Sequence, residues 1–119
     1  MKVLVMVVLV LVCLNAKAAD KWTDTDSKFQ EVYTVVTLVD MFTTLDIKNN
    51  SNVYETNPVL GPHPSDIKVI SIFALGMGLT YEVATLLPKD FRRAFQIVST
   101  VIELKCVNNN LSIGLLFAL

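Results

Sequence analysis

Six polar residues stand out by type and placement: Asp40, Glu55, Asn57, His63, Glu82 and Glu103. Asp40, Glu82 and Glu103 each fall on the polar stripe of a different predicted helix. Glu55, Asn57 and His63 fall in a connector that can fold over one end of those helices. Carboxylates, an amide and an imidazole are the donors of a hard-cation or zinc site, or of a general acid/base set. No HExxH, paired-carboxylate motif or Gly-rich phosphate loop accompanies them. The spacing therefore favours a plainer reading, in which these groups satisfy one another, cap helix ends and bind Arg92, Arg93 or Lys105. No metal is assigned and no cofactor is implied. His63, between two prolines, reads as an exposed loop residue, and Ser65 as a helix cap rather than a nucleophile.

Three helices must position these groups. Asp20 to Lys28 is a polar lead-in with N-cap candidates at Thr25, Asp26 and Ser27. From 28 to 47 apolar residues come in adjacent pairs such as Val35-Val36 and Leu38-Val39, which no half-buried strand allows. Thr34, Thr37, Asp40 and Thr44 recur at steps of three, three and four, a single polar stripe on a helix. The connector from 48 to 66 is full of breakers. Asn57-Pro58 suits a cap and first helical position, opening a turn that Gly61 ends, and Ser65 caps the next helix. This geometry turns Glu55 back toward the bundle end, within reach of the Asp40 stripe or an arginine.

The second helix is expected over 66–87, ended by Pro88. It carries no charge from Val69 to Tyr81, and Ser71, Ala74 and Gly78 share a face on which another helix can approach closely. A basic turn follows, and then a third helix over 90–107 that Asn108-Asn109-Asn110 is expected to stop. Asn49-Asn50-Ser51 and Asn110-Leu111-Ser112 match the N-glycosylation pattern, which matters only in a eukaryotic secretory pathway.

The chain has 119 residues, 10 basic against 11 acidic, and 8% aromatic residues. That length gives one domain, and the absence of a basic face argues against a nucleic-acid partner. Met1-Lys2, the 12-residue apolar run from Val3 to Leu14, and Ala16-Lys17-Ala18 have the form of a cleaved export signal over 1–18. The apolar run covers about 18 Å as a helix, short of a ~30 Å hydrocarbon core. Cleavage leaves Cys106 as the single cysteine, so 19–119 must fold as one helical domain without an internal disulfide. Insertion of the second helix into a bilayer is marginal alone and favourable with a partner helix. Lys89 to Arg93 is expected to face the cytoplasm, with the processed N-terminus outside.

Asp40-Met41-Phe42-Thr43-Thr44, the run Glu55-Thr56-Asn57-Pro58-Val59-Leu60-Gly61-Pro62-His63-Pro64-Ser65, the arginine turn, Glu103 and a late Asn followed by Gly114 resemble a group of small uncharacterised bacterial and phage proteins. Their pattern is D-x-x-x-T, then E-x-N-P-x-L-G-x-x-P-S, then an arginine turn and a closing N…G. The likeness runs from about Val39 to Gly114, and the central string is its most specific part. It implies a helical membrane-associated protein and supplies no activity.

The expected molecule is all-α: a small, membrane-embedded bundle of about three helices after a cleaved signal peptide. Its expected place is the inner membrane with an exported N-terminus, the alternative being a soluble periplasmic bundle. Its expected partners are the lipid bilayer and either a second copy or another membrane protein. The leading function is non-enzymatic, through such contacts. The alternatives are an intramembrane ion-binding protein or hydrolase using Asp40, Glu55, Asn57 and His63, and a phage-encoded modifier of the host envelope.

Overall fold

Thr23 sets where the first helix begins. Its hydroxyl accepts from the Asp26 amide at 3.2 Å, and the Asp26 carboxylate accepts from the Thr23 amide at 2.9 Å. This reciprocal capping box starts α1 (Asp24–Leu45) four residues before the expected boundary and puts the cap at Thr23 rather than at Thr25–Ser27. The computed structural model describes residues 20–117, so the expected export signal lies outside the described residues. After α1 come one 3-10 turn (Asp46–Asn49), the connector, α2 (Asp66–Leu86) and α3 (Lys89–Ser112). No strand occurs among the described residues, and the expected all-helical bundle of three is what they form.

α1 is the central element. It packs most extensively on α3, less on α2, and α2 and α3 touch little. Asp26 meets Arg92 while Asp40 meets Asn110, so α1 and α3 run parallel and α2 returns between their ends. The apolar core is small: Met41, Leu45, Leu60 and Val69, backed by Leu38, Phe42, Ile72 and Phe73. A side-chain bond adds to it, Tyr33 Oη to Thr80 Oγ1 at 3.1 Å. Thr80 spends its own proton on the Gly76 carbonyl, so the phenol is the donor.

α3 does not stop at Asn108. It continues to Ser112 because Asn110 turns inward and is held by α1, and because Gly114, at φ +90°, ends the chain's helical course one turn later. The Leu115 amide then bonds the Asn110 carbonyl and its side chain is completely buried. The terminal segment thus folds back under the bundle, and the Asp46 carboxylate receives the Leu116 amide at 2.9 Å. α2 matches its expected limits to within a residue, with Ser65 as its cap.

Candidate functional site

The two ends of the bundle carry different polar clusters. At the first, Arg92 is completely buried and all five of its N–H groups have acceptors. Nε donates to Ala84 O, Nη1 to Lys21 O and Asp26 Oδ2, and Nη2 to Asp20 O and Leu87 O, at 2.7–3.3 Å. One side chain therefore satisfies the carbonyls left open at the end of α2 and straps down the chain before α1. Its guanidinium lies 5.1 Å from the Trp22 ring centre, and Trp22 stacks on Tyr81. Arg93 Nε donates to Asp26 Oδ1 at 3.1 Å, so one buried carboxylate pairs with two arginines. Burial alone would raise the Asp26 pKa. The Thr23 amide, Arg93, the Thr23 hydroxyl and Arg92 outweigh it and hold the group at about 2. Both arginines are committed here, so neither reaches Glu55 or Asp40.

This cluster also fixes an arrangement that the sequence reading has otherwise. The Lys89 amide donates to Asp20 Oδ2 at 2.7 Å. The start of the described chain and the basic turn share one end, and cannot lie on opposite sides of a membrane.

The second cluster is the candidate site. Asp40, 7% exposed, sits near the end of α1 where its polar stripe faces α3. Asn110 Nδ2 donates to Asp40 Oδ1 at 2.8 Å and approaches Thr43 Oγ1 at 2.9 Å and Thr44 Oγ1 at 3.4 Å. The Glu103 carboxyl, on α3, lies within hydrogen-bonding reach of Asp40. A cavity of about 510 Å³ opens beside them, walled by Asp40, Glu55, Asn57, Lys105, Cys106 and Asn110 among others. A smaller one of about 290 Å³ lies between Asp40 and Glu103 on one side and Ile72 and Phe73 of α2 on the other.

The connector builds the outer wall. The Glu55 amide donates to Pro62 O at 2.9 Å, closing an eight-residue loop. Within it Asn57 Oδ1 accepts from the Val59 amide at 3.0 Å, and the Asn57 carbonyl receives the Leu60 and Gly61 amides. Gly61 follows at φ +80°, where a side chain would be strained. The Glu55 carboxylate accepts from the Asn57 amide at 2.8 Å. The Asn-Pro segment is thus a tight turn of the expected kind rather than a helix, and Leu60 is its anchor in the core.

Of the six residues singled out by type, four meet: Asp40, Glu55, Asn57 and Glu103. His63 is exposed in the connector, and Glu82 is exposed near the opposite end of α2. Ser71, Ala74 and Gly78 are exposed, so their face is not the one α2 turns to α1 and α3. No group of three metal-ligating side chains converges among the described residues. Asn110 is buried and bonded, which removes the second glycosylation tripeptide from reach.

Sequence reasoning missed the tertiary roles of Asn110, Thr43, Asp26 and Gln96, and took Asp26 only as an N-cap candidate. Asn110 was hidden in a run that reads as a helix stop. Gln96 Nε2 donates to Asp26 O and Gln30 Oε1 at 3.1 and 3.2 Å, a bridge between α1 and α3 with no motif of its own. We find no match to the chain among protein families, curated proteins or solved structures.

Proposed function

We propose that the chain is a non-enzymatic helical protein embedded in the inner membrane of the cell envelope. In this reading it works through contacts of its apolar surface with lipid and with a second copy or another membrane protein. The observation that carries the reading is an inverted distribution of polarity. Among the described residues, nineteen large apolar side chains are exposed and eight apolar ones are buried, against eight buried polar or charged ones that include Asp26, Asp40 and Arg92. A water-soluble bundle does the reverse, since burying polar groups is costly and apolar surface drives folding.

The distribution along each helix supports the same reading. On α1 from 32 to 45, on α2 from 69 to 81 and on α3 from 94 to 104 no exposed position is charged. These stretches are about 17–21 Å long. Lys28, Lys68 and Lys105 flank them, with stems long enough to extend the apolar height while the ammonium groups reach water. Past Leu104, the exposed polar residues Lys105 and Asn109 line the mouth of the larger cavity, where polar groups in a membrane protein belong. α2 is long and apolar enough to cross a membrane, yet only 11% of its span is buried inside the protein. A core helix of a soluble protein would be mostly buried. Trp22 and Tyr81 at one end and Tyr54 at the other stand where interfacial aromatics collect.

Carbonate washing of membranes from expressing cells tests the reading. Retention in the pellet is expected, and release into the supernatant would overturn it. A second reading draws on the cavity that brings Asp40, Glu55 and Asn57 together: binding of an ion or small polar molecule. Stoichiometric metal in the purified protein, or a hydrolytic activity lost in Glu55→Gln, would favour it over the first.

A further inference from the structure

We infer that Asp40 and Glu103 hold one proton between them, forming a protonation site that latches α1 to α3. The Asp40 side chain is more than nine-tenths buried, and the only donor its carboxylate receives among the described residues is Asn110 Nδ2. Glu103 Oε2 is buried and has no hydrogen-bond partner. Two other buried side-chain atoms share that condition, Trp22 Nε1 and Gln96 Oε1, but neither belongs to an ionisable pair. A buried carboxylate oxygen without a donor, within hydrogen-bonding reach of a second carboxyl, is completed by a single hydrogen: the O–H of one acid donating to the oxygen of the other.

The surroundings leave no other way to balance the pair. From α1 the titratable neighbour is Tyr33, whose O–H is committed to Thr80. From α2 come Ile72, Phe73, Gly76 and Met77, all uncharged. From the connector comes Glu55, a further negative charge. From α3 come Cys106 and, on the outer wall of the larger cavity, Lys105. Among the described residues neither carboxylate has a basic side chain within salt-bridge distance, and both arginines that could serve are paired with Asp26 at the far end. Two carboxylates side by side, one of them buried and neither paired with a cation, do not both ionise. One takes a proton from water, the pair carries a single negative charge, and Asn110 orients Asp40 to share it. Loss of that proton in alkaline solution puts two like charges across the α1–α3 seam and opens the cavity wall there.

Infrared spectroscopy of the whole protein tests this directly. The carbonyl stretch of a protonated carboxyl is expected at neutral pH, fading as the solution is made alkaline, and absent from Asp40→Asn and from Glu103→Gln. Isotope-labelled aspartate identifies which acid bears the hydrogen. No such band in the unmodified protein at neutral pH overturns the inference, and so does a band that survives in both variants. Were either variant to misfold, the unmodified protein's own pH series still decides. The inference rests on the cavity geometry and not on membrane insertion, so a protein released by carbonate would show the same band, and the two failures are told apart.

Discussion

Arg92 ties together the end of α2, the segment before α1 and Asp26 of α1. Its five donors close the end of α2, hold residues 20 and 21, and pair with a carboxylate that has no access to water. Removing one partner of such a pair strands the other, at a cost of about 3–5 kcal/mol. Arg92→Met is expected to lower the thermal midpoint sharply. Arg92→Lys is expected not to restore it, because an ammonium has three donors and no planar fork. A midpoint for the lysine variant close to that of the unmodified protein would show that charge alone suffices. Asp26, its partner, gives a pH dependence of known sign. Its folded pKa, about 2, lies below the ordinary aspartate value of 3.8, so its contribution is intact above about pH 5 and is lost as pH falls toward 2. Asp46 acts in the same direction, held low by the Asn49 amide and the Leu116 N–H. The midpoint is expected to fall in that acid window, and the part due to Asp26 to be missing from Asp26→Asn, whose stability starts lower. An unchanged acid profile in that variant would remove the assignment.

The elements depend on a few side chains that join them. Asn110→Ala removes the one amide donor that Asp40 receives among the described residues and the tie to Thr43, and is expected to cost about 1–3 kcal/mol and to fray the last turn of α3. Hydrogen exchange across 107–112 checks this: faster exchange there is expected, and unchanged protection would contradict the role given to Asn110. Asn57→Ala removes one turn hydrogen bond and is expected to cost about 1 kcal/mol, with Leu60 still in place. Helix types and the connector's turns were legible in the sequence, because Pro88, Gly61, Ser65 and the threonine stripe act locally. What was not legible acts across 66 to 72 residues: Arg92 on Asp20 and Asp26, and Asn110 on Asp40. Asn108-Asn109-Asn110 has the composition of a stop, and only the carboxylate waiting on α1 makes its last member a helix residue. The acid pair at Asp40 and Glu103 was visible as two members of three stripes. Which of Glu82 and Glu103 would meet Asp40 depended on α3, rather than α2, running parallel to α1.

At the scale of the whole molecule the interior is polar at both ends and the outside is apolar between them. Val35, Leu75, Leu79, Val98 and Val101 are exposed, while polar Thr37 and Gln96 are buried. Such a surface marks an interaction face in water and is a solvated face in lipid. The central claim is tested most directly by water accessibility at single positions. With Cys13 and Cys106 replaced by serine, cysteines placed one at a time at Val35, Leu75 and Val98 are read with a water-soluble, membrane-impermeant maleimide on protein in vesicles. Little labelling is expected at these three, and ready labelling at a control position in the connector, Asn52→Cys, in whichever orientation exposes it. Labelling of Val35, Leu75 and Val98 as complete as that of the control would contradict the account and return the chain to the water-soluble class.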